Sequence, residues 1–224
     1  MALEIDDDLR AFIGQVFACP AEIAEAIGGR ARQRAYPTQA TILRQGERSG
    51  ETFLVIVGRA HAVLYGSEGQ LVLLHEFTAG DMFGAIAQAE PEPHDADVVA
   101  VEDVRAAIFL ALDFLMLIET YSCVGLAISR LLLKRLRETT GRMAERITLS
   151  AAGRIHAELL RLARAGDGRT VRPAPVLSVL AVRVHSTRET VSRTINALER
   201  RGLIRREAGD LIIVAPHRLE EMVV

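Results

Sequence analysis

The chain has 224 residues, half of them hydrophobic and a quarter charged, the composition of an ordinary globular protein with length for one large domain or two small ones. No apolar run reaches the roughly 18 residues of a membrane helix, and the acidic opening MALEIDDDLR lacks the basic-then-apolar pattern of a secretory signal, so the expectation is a cytoplasmic protein without a membrane partner. The net charge of −2 hides a segregation: residues 1–120 hold 8 basic and 19 acidic side chains, a balance of −11, while residues 141–206 hold 14 arginines and 5 acids, a balance of +9. Two modules with different partners are implied, the basic one a candidate for polyphosphate contact or simply a solvated helical surface.

Residues 6–27 read as short helices: LRAFIGQVF runs into Cys19-Pro20, and AEIAEAIGG stops on a glycine pair. From about Arg32 the period changes. Runs rich in Val, Leu, Ile and Phe recur between glycines (TILRQG, ETFLVIVG, AHAVLYG, QLVLLHEF, AGDMFG), and after a polar stretch come DVVAV and VRAAIFLA. Many short strands with glycine turns indicate a β-sandwich or barrel. Gly66-Ser67-Glu68-Gly69 reads as a hairpin loop, Gly84-Ala85-Ile86-Ala87 as a short helical turn, and AEPEPHDAD (Ala89 to Asp97) as a loop. Cys19 and Cys123, far apart in sequence, form no CxxC pair, disulfide framework or four-cysteine cluster site, and read as small buried apolar residues.

From about Ser122 a helix of roughly 26 residues is expected. Ile128, Leu132, Leu136, Thr139, Met143 and Ile147 fall three or four apart, one stripe on one face, with Arg130, Lys134, Arg135, Arg137, Glu138, Arg142, Glu145 and Arg146 on the others. Such a helix is either the spine of a bundle or half of a two-stranded coiled coil. The homodimer is the preferred reading, with Ile128, Leu132, Leu136, Met143 and Ile147 at the interface, because a compact barrel offers a solitary helix little length to pack on. Ser150 reads as the N-cap of a helix over 151–165, so Leu149-Ser150 is the expected hinge, and GDGRTVRPAP as a loop. The division is then 1–121, a sensing barrel; 122–149, a dimerisation helix; and 150–224, a DNA-binding domain.

The last 50 residues carry the sharpest pattern. A helix from Leu177 to Arg183, a turn at Val184-His185-Ser186 and a second helix from Thr187 to Arg201, capped by Ser186 or Thr187, form a helix-turn-helix. Val191, Ile195 and Leu198 make the buried face, which leaves Arg188, Glu189, Ser192 and Arg193 pointing outward near the helix start, where a recognition helix meets base edges. IRR-EAGD-LIIV follows as a two-stranded wing turning at Gly209-Asp210. An arginine can take guanine O6 and N7 together, and a glutamate can accept from cytosine N4. Arg200, Arg201, Arg205 and Arg206 suit phosphates, and Ser186, Thr187, Thr190 and Ser192 suit backbone contact or support. The alternative is a plain surface helix with a Glu189–Arg193 pair.

Ser186-Thr187-Arg188-Glu189-Thr190-Val191-Ser192-Arg193, with the helix and Gly202-Leu203-Ile204 after it, resembles the recognition helix of the cyclic-AMP receptor protein and FNR (Crp/Fnr) superfamily of transcription regulators. The resemblance spans nearly the whole chain: RQGE at Arg44 to Glu47, Gly58, Gly80 and Gly84, the spine helix, and Gly153-Arg154-Ile155. It implies an α+β fold with an N-terminal cyclic-nucleotide-binding-like β-roll (a jelly-roll barrel), a long dimerisation helix and a C-terminal winged helix-turn-helix. It also implies that Arg188, Glu189 and Arg193 read a TGTGA-type half-site, that a homodimer binds a palindromic operator with half-sites roughly 34 Å apart, and that RNA polymerase is a further partner. His185 stands where the family usually has Gly, and Leu177 where the receptor protein has a basic residue.

The resemblance also bears on the effector. Nucleotide-binding members carry Gly-Glu and later Arg-Ser in the phosphate cassette; this chain has Gly84-Ala85 and His94-Asp95. With both charged anchors gone, the usual cyclic-AMP mode is not expected, since a buried phosphate without a cation is costly. Thr139 and Thr140 pull the other way, falling where the family's spine helix offers hydroxyls to adenine. Gly84, Ala85, His94, Asp95, Thr139 and Thr140 are therefore the candidate effector pocket. A true cyclic-nucleotide response, haem on His75, His94 or Cys123 (the weakest), another small ligand, or none all stay open. An enzyme of the cupin kind fused to a DNA-binding tail would need converging histidines; His61 and His75 are candidates for neighbouring strands, but no HxH pair exists, so no catalytic residue and no metal ligand is assigned.

Overall fold

The computed structural model describes residues 7–66, 71–88 and 90–223. Two helices, α1 (Asp7–Phe17) and α2 (Ala21–Gly28), precede eight strands: β1 (Arg32–Tyr36), β2 (Thr41–Leu43), β3 (Glu51–Val57), β4 (Ala60–Tyr65), β5 (Leu71–Phe77), β6 (Met82–Gly84), β7 (Asp97–Ala100) and β8 (Val104–Leu110). They form two antiparallel sheets, ordered β1-β8-β3-β6 and β2-β7-β4-β5. The core shared by the sheets mixes small and aromatic residues. Ala60, Ala62, Ala100 and Ala106 leave room for Phe53, Phe77 and Phe83, with ring centroids 4.9 Å apart for Phe53–Phe83 and 4.7 Å for Phe77–Phe83. β3 reads ETFLVIV without alternation because both its faces are covered: Phe53 and Val55 face the barrel core, Leu54 and Ile56 a second core formed with the helices.

That second core joins α1, α2, α3 (Ala111–Thr120) and the start of α4 (Ser122–Thr148) through Ile13, Phe17, Phe114, Leu117 and Val124. It also gathers the two cysteines. Cys19 and Cys123, expected to be buried, are half-buried, pack on this same core, and bring their thiols into interaction; burial first, and the neighbouring thiol next, push the Cys19 thiol up. No single helix among the described residues is long and apolar enough to cross a membrane.

Two local expectations fall on the barrel's turns. The hairpin loop at Ser67-Glu68-Gly69 lies outside the described residues, although β4 and β5 pair antiparallel from Tyr65↔Leu71 inward. Gly84-Ala85-Ile86-Ala87 is a tight turn and not a helix. Gly84 (φ +89°) and Ala87 (φ +58°) take left-handed angles, the Ala85 amide donates to the Glu51 carbonyl at 3.0 Å, and the Thr52 hydroxyl donates to the Ala85 carbonyl at 2.9 Å. These ties to β3 use the groups a helix would pair internally.

The chain separates into two compact units, one running to Leu136 and the other starting at Arg137, so the division falls within α4. After α4 come α5 (Ala151–Arg164), β9 (Thr170–Val171), α6 (Leu177–Arg183), α7 (Arg188–Arg200), β10 (Ile204–Glu207), β11 (Asp210–Ile213) and α8 (Pro216–Glu221). Ser150 caps α5, its hydroxyl accepting from the Gly153 amide at 3.0 Å. GDGRTVRPAP is not wholly a loop: Thr170 and Val171 pair with Ile212 and Leu211, a third strand on the wing. Two residues between a glycine and a proline carry no readable period. The wing turns at Ala208-Gly209 (φ +50° and +88°), one residue earlier than expected, because Glu207 faces Asp210 in the ladder.

Gly58 shows how tightly the barrel is specified. It has φ +89°, and a Cβ built there would lie 2.1 Å from the Asp103 carbonyl oxygen, a backbone atom that cannot swing aside. Gly58→Ala is expected to cost upward of about 2 kcal/mol, read as a lowered urea midpoint for the full chain; an unchanged midpoint would contradict the register of β3 against β8.

Candidate nucleic-acid interface

The interface is built on α6, a four-residue turn and α7. The turn needs one left-handed residue, supplied by His185 at φ +49°, a conformation that non-glycine residues adopt at a cost. It is fixed from both sides. The Ser186 amide donates to the Ala181 carbonyl at 2.9 Å, and Thr187, the N-cap of α7, accepts from the Thr190 amide at 3.2 Å. Thr187 is therefore the cap that the sequence left shared with Ser186. Val191, Ile195 and Leu198 are no more than 1% exposed and join Ile155, Leu159 and Leu180 in one core.

Burying that stripe turns the opposite face outward. Arg188, Glu189, Arg193 and Arg200 are exposed, with Thr190 and Ser192 half-exposed beside them. The Glu189 carboxyl is held below the usual carboxylate range, first by its own backbone amide and then by the Thr187 hydroxyl, with Arg188 and Arg193 adding to this. It is thus an ionised acceptor. Arg193 Nε donates back to the Glu189 carbonyl at 3.4 Å, keeping that guanidinium beside the carboxylate. On the wing, Arg205 meets Glu207 at 2.7 Å, and Arg206 meets Asn196 Oδ1 at 3.3 Å and Glu199 at 3.9 Å. Exposed pairs of this kind are worth little and give way to a phosphate cheaply. Arg201 is exposed at the end of α7.

Behind the turn lies a residue that had no role in the reading of the motif. Arg154 donates to the carbonyls of Val184 (2.9 Å), His185 (3.4 Å) and Leu149 (3.0 Å), tying α5 to the turn and to the hinge. Only its place in Gly153-Arg154-Ile155 hinted at this.

The expected effector residues are scattered by comparison. Gly84 and Ala85 form the turn after β6, with Ala85 fully buried. His94 is half-buried, its Nε2 2.9 Å from the Ser49 hydroxyl, and Asp95 is exposed. Thr139 and Thr140 are exposed residues of the other unit. A cation does reach the barrel from elsewhere: Arg135 of α4 sits 5.2 Å from the Phe77 ring centre and donates to the Met82 carbonyl of β6. A cleft of ≈ 520 Å³ opens between α1, the β5–β6 turn and α4, and none of the six effector candidates lines it. Among the described residues no group of three or more His, Cys, Asp or Glu is placed to hold a metal ion.

A β-roll joined through a long helix to a winged helix-turn-helix defines a DNA-binding transcription regulator. Residues 33–121 match the cyclic nucleotide-binding domain family and residues 153–222 the Crp-like helix-turn-helix domain family. The chain is 30% identical over 198 residues to the cyclic AMP receptor protein of Thermus thermophilus, covering 85% of this chain and 88% of that one. It is 26% identical over 189 residues to a CRP-like cAMP-activated global transcriptional regulator of Mycobacterium tuberculosis, covering 82% and 84%. Among solved structures, FixK2 from Bradyrhizobium japonicum superposes with a TM-score of 0.74 at 18% identity, over 87% of this chain and 98% of that one. The chain belongs to the Crp/Fnr superfamily of transcription regulators.

Two histidines make the DNA-binding unit sensitive to acid. His156 is 4% exposed with Nδ1 3.1 Å from the Met222 carbonyl; burial lowers its pKa, with Arg201 adding to this against that hydrogen bond. His185 is lowered by burial and then by Arg146, Arg154 and Arg142. Both favour the neutral ring in the folded state, so the unfolded chain binds more protons once pH drops below about 6.5. The contribution of the two neutral rings to stability is full above that pH and is lost as the pH falls below it. The thermal midpoint of this unit is expected to fall between pH 7 and 5.5, and less so in His156→Gln; a midpoint flat across that range would contradict the buried, neutral assignment.

Proposed function

We propose that the protein is a homodimer that reads a palindromic, TGTGA-like operator through Arg188, Glu189 and Arg193, under the control of an effector bound to the barrel. The observation that carries this reading is the outward face of α7: an ionised glutamate and two arginines at the start of a helix whose other side is fully buried. Ser186, Thr187, Thr190, Ser192, Arg200, Arg201, Arg205 and Arg206 then hold the phosphates or support the readers. Residues 1–121, 122–149 and 150–224 act as sensor, spine and reader, and RNA polymerase is the downstream partner in a cytoplasmic setting.

The dimer reading rests on α4. Leu132, Leu136, Met143 and Ile147 are 51, 63, 63 and 74% exposed, an apolar row left uncovered by the described residues. Ile128 does not belong to that row. At 6% exposure it is packed into its own unit's core, where α4 still lies against α1 and α3, so the seam starts at Leu132. Pairing two such rows is the ordinary solution for a long helix.

For the effector, Ala85, His94 and Asp95 in the cassette positions support a ligand other than cyclic AMP held in the family's usual way. A cyclic-nucleotide response is the second reading, favoured by the domain match and by the hydroxyls of Thr139 and Thr140. In either case the ligand acts only through a difference in affinity between two conformations, transmitted along α4 to the Leu149-Ser150 hinge.

Gel shifts on a TGTGA palindrome test the central reading. Arg188→Ala is expected to cost about 1–3 kcal/mol on the cognate duplex and little on a scrambled one; equal loss on both would contradict base reading. Leu136→Glu with Met143→Glu is expected to give a monomer by sedimentation and to abolish operator binding; a dimer that survives both changes would place the interface elsewhere.

A further inference from the structure

Outside the recognition surface, one place in the molecule gathers charge without cancelling it. The last turns of α4, one face of α5, the end of α6 and the helix-turn-helix turn enclose a gap of ≈ 20 Å³, lined by Arg142, Arg146, Arg154, Arg161, Arg183 and His185 together with Glu145 and Glu158. That is room for about one water-sized atom.

Both carboxylates are engaged. Glu158, 3% exposed, takes Arg161 at close range and Arg183 at 3.5 Å; Glu145 takes Arg161 at 2.5 Å. Arg154 directs its nitrogens to the main-chain carbonyls of Leu149, Val184 and His185, which satisfies its hydrogen bonds and leaves its charge uncompensated. Arg142 and Arg146 have no carboxylate partner among the described residues. Five arginines against two glutamates leave an excess of three positive charges around the gap. His185 registers that excess, since Arg146, Arg154 and Arg142 all disfavour its imidazolium. Concentrating cations on a half-buried imidazole is unfavourable unless an anion joins them.

We infer that the mouth of this gap is an oxyanion site that takes one oxygen of a phosphate group, with Arg142 and Arg146 gripping the oxygens left outside it and Arg154 holding the turn behind them. A guanidinium pair suits phosphate by geometry as well as charge. Its position favours that occupant too: His185 lies two residues before the Thr187 cap of α7, so the site flanks the recognition helix. The phosphate comes either from the DNA backbone or from a free phosphorylated small molecule. The first source rests on the reading of α7 as a DNA-contacting helix; the second does not.

The test uses the full-length protein, the charge-removing R142Q/R146Q variant and the charge-keeping R142K/R146K variant. If the phosphate is the operator's, each subunit loses about one contact in the glutamine variant. The slope of log affinity against log salt then becomes shallower by roughly 2 per dimer, discrimination between palindrome and scrambled duplex is unchanged, and the lysine variant stays near the parent. If the phosphate is free, that slope does not change, but inorganic phosphate raises the His185 titration midpoint by nuclear magnetic resonance in the parent and not in the glutamine variant. An unchanged slope together with a His185 titration indifferent to phosphate overturns the inference. Failure of the parent to bind any duplex would sink the DNA reading and leave the phosphate titration to decide the site alone.

Discussion

Burial of three side chains decides which face of α7 is turned outward. Val191, Ile195 and Leu198 occupy one face of α7 and sit in the core of the second unit with Ile155, Leu159 and Leu180. Each contributes roughly 1.5–3 kcal/mol of transfer free energy, so α7 cannot rotate about its axis without exposing them. The helix period then dictates that Arg188, Glu189 and Arg193 face away. The Thr187 cap and the strained His185 turn fix where the helix begins, and Arg154 holds that turn through its carbonyls. The outward face of α7 is thus a consequence of the core, set by apolar residues on its other side.

The sequence was most legible where a single period governed a long segment. The extent of α4 and the buried face of α7 follow from their apolar stripes, and Ser150 and Thr187 from the chemistry of capping. The barrel strands were legible as apolar runs between glycines, because Gly58 and Gly84 sit where a Cβ would strike backbone. Legibility failed where long-range pairing overrode local pattern. Two-residue β9 exists only because β11 lies beside it, and Ala85 is held in a turn by hydrogen bonds to β3 that no local propensity encodes. Ile128 shows the same limit: its spacing matches the exposed row, but the packing of α4 on α1 and α3 claims it for the protomer.

The candidate site divides in the same way. Arg188, Glu189 and Arg193 are three neighbours on one helix, so spacing alone brings them together. Arg154, Glu158 and Arg183 act through contacts 25 to 31 residues apart in sequence, and Arg135 reaches Met82 across 53. Those relations come from the tertiary fold, not from any motif. The barrel follows the same rule in reverse. Ala85, His94 and Asp95, which we propose stand at the positions of the family's phosphate anchors, are set by the barrel, while the Arg135 guanidinium reaches the Met82 carbonyl of β6 from α4.

The most direct measurement is selection of bound sequences from a pool of random duplexes by the intact protein. The account predicts enrichment of a two-fold symmetric pair of half-sites spaced by about one helical turn, each with a guanine and a cytosine at the positions that the arginines and the glutamate of α7 would meet. Enrichment of a single asymmetric site, or recovery of the starting pool without bias, would contradict it.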